Sequence, residues 1–297
     1  MFGFRPDGRR ISSIDPIVRM TPYLMPMRCD AQVFLQHKLD YEVLARYLAK
    51  KSVEGERLSF MQILIAAYVR AVGQHPEVNR FICNKQYYAR KNCTVAFSML
   101  RDTGSTRVEE TAVKIKFDLH DTIFDVRDRV SHAIESNRPM GKTNFTDQLA
   151  RFLLAVPLLP TVVVGIIRMM DRYGLCPGWL LDAIPFHTGM FVTNMSSIGM
   201  HSVLHHIYNF GNTSLFMSMG TLERDVVMDG EGNARMKRLM PIGITADERV
   251  CAGAVYAGFF STMMSYLRDP SLLEVPPESV SFDKGVSYSV PKVKKAE

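Results

Sequence analysis

Between Ser59 and Pro76 the chain carries a helical pattern that is apolar on nearly every side. Ser59 fits an N-cap, and Gln62 three residues later completes a capping box. Ile63, Leu64, Ala67, Val69 and Val72 then run into His75-Pro76. A helix without a polar face has no solvent side, so other elements must surround it at the centre of a core. With 297 residues, 47% of them hydrophobic, there is material for such a core in one large domain or two small ones. Disorder, collagen and coiled coil are excluded.

The elements around that helix alternate irregularly. Residues 31–38 read as a strand, and 41–51 as a helix through Val43, Leu44 and Leu48. Residues 80–90 read as a hairpin turning at Asn84-Lys85, followed by strands over 93–100 and 107–117. An amphipathic helix over 121–136 uses Ile123, Val126, Val130 and Ile134, with Asp118 or Asp121 as its cap. Strands follow at 190–194, 213–221 and 222–228, and a turn over 229–233 leads into a strand at 238–246 and a helix at 253–267. This order suits an α/β two-layer sandwich with a mixed β-sheet and flanking helices. One domain over 1–272 is expected, opening with an N-terminal arm (1–30) whose first 15 residues show no hydrophobic period. A solvated, Pro-, Ser- and Lys-rich tail is expected over 273–297.

Charge and cysteine usage narrow the class. The 36 basic and 30 acidic residues leave a formal charge of +6, spread along the chain rather than gathered in a stripe, so no nucleic-acid partner is expected. The five cysteines (Cys29, Cys83, Cys93, Cys176 and Cys251) are odd in number and contain no C-x-x-C pair, so neither a disulfide framework nor a zinc knuckle follows. Residues 1–15 lack a secretory pattern, and a reducing cytoplasm is the expected setting. His201 and His205 stand four apart with His206 and His187 nearby, but no carboxylate or cysteine completes a ligand set, so no metal is expected. Lone glycines such as Gly141 and Gly165 form no phosphate loop.

The most apolar stretch, residues 152–167, contains Pro157 and Pro160, and its 16 residues fall short of the ~20 that span a bilayer. Burial against the core is its default fate. Two sharper readings are a helical hairpin lining an acyl pocket or subunit interface, and a peripheral membrane contact continued by Trp179, Leu180 and Leu181.

Three blocks carry a resemblance. The first runs Ile242-Gly243-Ile244-Thr245-Ala246-Asp247-Glu248-Arg249-Val250-Cys251-Ala252-Gly253-Ala254, ahead of an apolar helix and Asp269-Pro270. The second is Gly189-Met190-Phe191-Val192-Thr193-Asn194-Met195-Ser196-Ser197-Ile198-Gly199, and the third Val226-Val227-Met228-Asp229-Gly230. Together they resemble the catalytic acyltransferase domain of the 2-oxoacid dehydrogenase complexes, a family with the chloramphenicol-acetyltransferase-like fold. A weaker match over 77–96 extends the likeness.

The resemblance implies a homotrimer with its active site between subunits, and CoA or acyl-CoA, a small-molecule thioester, as substrate. It implies a histidine base and a following Asp or Asn, but Glu248 and Ala252 stand at those positions. A carboxylate of ordinary pKa ~4.3 is poorly matched to a thiol near ~8.5 unless desolvation raises it. Thr193 falls where the family uses a serine hydroxyl for the oxyanion, while Asp247, Arg249, Asn194 and Gly253 keep the scaffold of the site. His205 and His206, in a segment superficially like the H-H-x-x-x-D-G motif of related acyltransferases, are the alternative base, with Phe210 in place of the aspartate. No lipoyl domain or linker precedes residue 31, so a stand-alone core without a lipoyl group is expected, and the tail after Pro270 argues against large cubic or icosahedral cores. Two functions compete: an acyltransferase with an altered site, and a non-catalytic trimeric scaffold or acyl-ligand binder.

Overall fold

The computed structural model describes residues 5–102, 108–137, 148, 152, 154–228 and 230–293. The helix inferred from the capping box is α3 (Phe60–Val72), numbered after α1 (Pro16–Leu24) and α2 (Tyr41–Val53). Ser59 Oγ accepts from the N–H of Gln62 at 3.3 Å, and Gln62 Oε1 accepts from the N–H of Ser59 at 2.8 Å. Every residue from Gln62 to Val72 is buried. The helix lies between α4 (Ile123–Asn137) and α7 (Gly253–Arg268) on one face of a seven-stranded sheet.

That sheet runs in the order β2 (Gln32–Asp40), β10 (Ala234–Asp247), β8 (Leu215–Met219), β7 (Met190–Asn194), β5 (Cys93–Asp102), β6 (Val108–Phe117). β9 (Glu223–Met228) pairs with the first half of β10. β7 is parallel to β5 and β8 and every other pairing is antiparallel, so the sheet is mixed, as the irregular alternation implied. Alternate residues meet the helices: Val95 and Phe97, Met190 and Val192, Leu215 and Met217, Ile242 and Ile244. On the opposite face Ala96, Phe191 and Phe216 are covered by Ile207 and Phe186.

Irregular chain can lie on that second face only because glycines let it approach. A Cβ on Gly243 would stand 2.3 Å from the carbonyl oxygen of Val203, and one on Gly220 would stand 2.1 Å from the amide of Ser202. Ser218 Oγ ties the crossing segment down by accepting from Val203 N–H at 2.9 Å and donating to its carbonyl at 2.5 Å.

A second, three-stranded sheet contains β1 (Gly8–Ile11), β4 (Gln86–Arg90) and β3 (Arg80–Cys83) in the order β1-β4-β3. The turn at Asn84-Lys85 forms as expected, with φ of 46° and 59°, values that match a hairpin turn to the strand twist.

Three expectations need correcting. The N-terminal arm is not without structure: β1 pairs with β4, and Asp15 caps α1 by accepting from Ile17 N–H at 2.8 Å. The cap of α4 is neither Asp118 nor Asp121. Thr122 Oγ1 accepts from Asp125 N–H at 3.2 Å, and the Asp125 carboxylate accepts from Thr122 N–H at 2.9 Å. Asp121 instead pairs with Arg129 at 2.7 Å, and Arg129 also donates to the carbonyls of Val290 and Pro291. The tail is therefore docked up to residue 293 rather than solvated. Phe282 and Tyr288 pack on the core, and Asp283 accepts from Arg80 at 2.5 Å. The turn expected over 229–233 begins at a residue outside those described.

Burial opposes the charge of Asp118, but N–H donors from His120 and Val290, the His120 ring and the Ser289 hydroxyl outweigh it. They hold its carboxyl at about 2, below the ordinary 3.8. A carboxyl lowered on folding contributes fully above its unfolded pKa, and that contribution is lost as pH falls through the folded one. Tail docking should therefore weaken between pH 4 and pH 2, the window set by those two values, with cleavage at Lys284 by an acid-tolerant protease as the readout. At neutral pH Asp118→Asn should cost about 2 kcal/mol in urea denaturation. An unchanged midpoint would refute the role given to this carboxylate.

Candidate functional site

The block at the end of β10 is built around a buried carboxylate. Asp247 accepts from Arg249 Nε at 2.8 Å and Nη2 at 2.7 Å, and from Arg28 Nε at 3.3 Å. Burial lowers the Arg28 guanidinium from its usual value despite the favourable field of Asp247. For Arg249 burial works the same way, but its bonds to Asp247 prevail and raise it. Arg249 also donates to the carbonyl of Met25, and Arg28 to those of Tyr208 and Gly211. Asp247 and Arg249 are thus supports, held away from solvent.

The next residue, Glu248, points outward and is exposed. It borders an elongated cavity of about 600 Å³ between β2 and α7 at the edge of the large sheet. One wall is the alternating set Val33, Leu35 and His37 of β2, and the other is the face of α7 carrying Tyr256, Phe260 and Met264. Val18 and Thr21 of α1 also line it. Its surface is mostly apolar, as expected of a cleft that takes an apolar ligand and orients it with a few polar groups. Those groups are Glu248 by the start of α7, Arg268 at its end, and His37 between β2 and Phe260, whose ring lies 6.3 Å away.

Ala252 and Gly253 stand beside Glu248 on the cavity wall. Ala252 is the N-cap of α7 and supplies no side-chain acceptor, so the first turn of this helix opens without a cap. Gly253 has open space where a Cβ would be. Cys251 also lines the cavity, but burial pushes its thiol up to about 12, which removes it as a nucleophile at neutral pH.

Thr193 and Asn194 lie elsewhere. Thr193 is opposite Ser218 in β8, and Ser218 is opposite Gly243 in β10, so Glu248 sits five residues further along. That is roughly 16 Å along the strands and roughly 10 Å across them. One copy of the chain does not bring Thr193 to Glu248. Thr193 Oγ1 is 3.3 Å from Ser98 Oγ, and Asn194 Oδ1 is buried without a hydrogen-bond partner. His205 stacks on Phe216 at 4.2 Å and on His206 at 4.5 Å, with Nδ1 bonded to the His206 carbonyl. Both rings lie on the sheet face opposite α7, away from the Glu248 cavity.

Among the described residues no group of three His, Cys, Asp or Glu side chains converges as metal ligands would. His201 instead faces Glu223 at 3.3 Å, and buried His187 faces Asp171 at 3.4 Å. Sequence reasoning missed His37 and Arg268. His37 occupies an inward position of an alternating strand, a signal that was available, whereas Arg268 joins the site only because α7 runs along β2.

Residues 187–275 match the family model of the 2-oxoacid dehydrogenases acyltransferase (catalytic domain). A shorter match, 36% identical over 87 residues, links the chain to dihydrolipoyllysine-residue acetyltransferase component 5 of the pyruvate dehydrogenase complex, chloroplastic, of Arabidopsis thaliana. It covers 29% of this chain and 18% of that protein, so the chain spans less than a fifth of its curated relative. Among solved structures, a probable dihydrolipoamide acetyltransferase from Listeria monocytogenes superposes with a TM-score of 0.53 at 13% identity, over 87% of this chain and 94% of the other. The cubic core of the pyruvate dehydrogenase multienzyme complex gives 0.52 at 15%, over 89% and 94%. A chloramphenicol acetyltransferase gives 0.51 at 10%, over 88% and 99%. The fold is thus the chloramphenicol-acetyltransferase-like fold, and residues 187–275 are similar in sequence to an acyltransferase catalytic domain.

The uncapped start of α7 gives a simple test of the local geometry. Ala252→Asp should raise stability by about 1 kcal/mol by supplying the missing acceptor to the first-turn N–H groups. An unchanged or lowered denaturation midpoint would show that those groups are already satisfied.

Proposed function

We propose that this protein binds an acyl thioester, with CoA as the thiol carrier, in the cavity between β2 and α7, and that it transfers the acyl group with an altered site. The observation that carries the reading is the position of Glu248. It borders an apolar cavity, standing between the paired supports Asp247 and Arg249 and beside the small residues Ala252 and Gly253. The cavity is large enough for an aliphatic acyl chain, which Phe260 and Met264 would flank.

In this reading Glu248 takes the proton of the acceptor thiol, and the thiolate attacks the thioester carbonyl. The new carbon–sulfur bond forms as the carbonyl oxygen becomes an oxyanion. Collapse breaks the bond to the CoA sulfur, which leaves with the proton returned by Glu248. Thr193 donates to the oxyanion. Because the register separates Thr193 from Glu248 within one copy, the Thr193 that serves a given Glu248 in this reading belongs to a neighbouring copy, and the assembly we propose is a homotrimer with three shared sites. His205 and His206 take no part, and neither does the outward face of the apolar segment 152–173.

A second reading, an acyl-ligand binder without chemistry, is favoured by the exposure of Glu248 and the absence of any side-chain acceptor at Ala252. Loss of a general base costs roughly 10² to 10⁴ in rate. The two readings separate by substitution. If Glu248 is the base, Glu248→Gln abolishes CoA release from acyl-CoA in the presence of a dithiol, and an unchanged rate sinks the role. If the chemistry has been lost, the wild type is inactive, whereas Glu248→His combined with Ala252→Asp gains turnover. Light scattering checks the assembly. About three times the chain mass of 33.6 kDa is expected, and a particle many times larger or a stable monomer would contradict it.

A further inference from the structure

The apolar segment expected to be buried is largely exposed over its described residues. In α5 (Leu159–Tyr173) no residue is buried. Leu158, Val162, Ile166, Met169 and Tyr173, spaced four, four, three and four apart, form one outward stripe, and Phe152 and Leu154 are exposed ahead of it. Trp179, at the start of α6 (Gly178–Ala183), is also exposed. A second stripe lies on and just beyond α1, where Ile17, Met20, Leu24 and Met27 all face outward.

Between the C-terminal parts of these two helices lies a pocket of about 490 Å³, with Pro22, Pro26 and Met27 on one side and α5 on the other. Its cations divide into two groups. Arg28 and Arg249 are committed to Asp247. Lys85, Arg168 and Arg172 are exposed, and none pairs with a carboxylate among the described residues. Lys85 lies over the Tyr23 ring at 4.8 Å, Arg168 over the Phe210 ring at 5.9 Å, and Arg172 donates to Asn84 Oδ1 at 3.1 Å. The nearby acids are neutralised. Asp171 pairs with Arg5 at 2.5 Å, and Asp182 with Lys116 at 2.8 Å.

We propose that α1 and α5 dock the protein peripherally on an anionic phospholipid surface, with lipid phosphates in the basic pocket between the two apolar stripes. The apolar side chains enter the headgroup boundary while the uncompensated cations meet the negative surface, the pairing that holds amphipathic helices on membranes. No helix among the described residues is long and apolar enough to cross the bilayer, so the contact lies on the surface. A second copy of the chain fits this face less well, because a two-fold contact would bring like cations together and, in any other arrangement, a chain of formal charge +6 has no acidic surplus to meet them.

Flotation of the full chain with vesicles tests the proposal. Vesicles of phosphatidylcholine mixed with phosphatidylglycerol should carry the protein, vesicles of phosphatidylcholine alone should not, and added salt should release it. Arg168→Gln with Arg172→Gln should lower partitioning roughly thirtyfold, at roughly fivefold per cation. Val162→Asp with Ile166→Asp should abolish it while the circular dichroism and melting transition stay as in the parent. Equal binding to neutral vesicles, or binding to neither, overturns the proposal. So does a stripe variant that dissociates an oligomer and leaves vesicle binding intact, which would make this face a contact between copies. Saturation by inorganic phosphate without vesicle binding would reduce the pocket to a free-phosphate site and likewise overturn it.

Discussion

The site hangs on the buried ion cluster of Asp247 with Arg249 and Arg28. Those three side chains join the end of β10, the residues after α1 and the loop at Tyr208–Gly211. Charges taken out of water cost several kcal/mol each, and here the carboxylate is returned that cost by two guanidinium groups whose remaining donors meet backbone carbonyls. Removing one partner would leave an uncompensated buried charge, which typically costs about 3–5 kcal/mol. The cluster fixes the exit of β10, and through it the direction in which Glu248 leaves the sheet and the entry of the chain into α7.

Two faces of the molecule then have distinct characters. The cavity between β2 and α7 is enclosed by an alternating strand and a helix stripe, with its few polar groups at defined places along an apolar cleft. The surface formed by α1 and α5 carries two apolar stripes with a basic pocket between them, whose Lys85, Arg168 and Arg172 have no carboxylate partner among the described residues. The Asp247 cluster lies between them, since Arg28 and Arg249 line the basic pocket while Asp247 directly precedes Glu248. A ligand on either face therefore meets the same rigid support.

What the sequence made legible was local or repetitive. The Ser59–Gln62 capping box, the Asn84-Lys85 turn and the short strand runs of β5, β7, β8 and β10 each depend on residues within a few positions, and each is found. The Gly243 of the family-like block has a steric reason in the carbonyl of Val203, which no local pattern reveals. Strand β1 was hidden because its partner β4 lies about eighty positions away, as its register shows. The docked tail was hidden because its anchors, Asp118, Arg129 and Arg80, look like ordinary surface charges in the sequence. The apolar character of residues 152–167 is plain in the sequence, but composition does not say whether a partner covers the segment. For the site, the motif delivered Glu248, Asp247 and Arg249, while the separation of Thr193 from Glu248 required the strand register.

The central claim is that the cavity beside Glu248 is an acyl thioester site. Calorimetric titration of the purified chain with CoA, acetyl-CoA and a longer acyl-CoA tests it most directly, because binding requires no knowledge of the acceptor. Micromolar affinity is expected, tightening with acyl length as more apolar surface enters the cleft. Absence of heat at millimolar concentrations of all three ligands would contradict it and leave the fold as a scaffold.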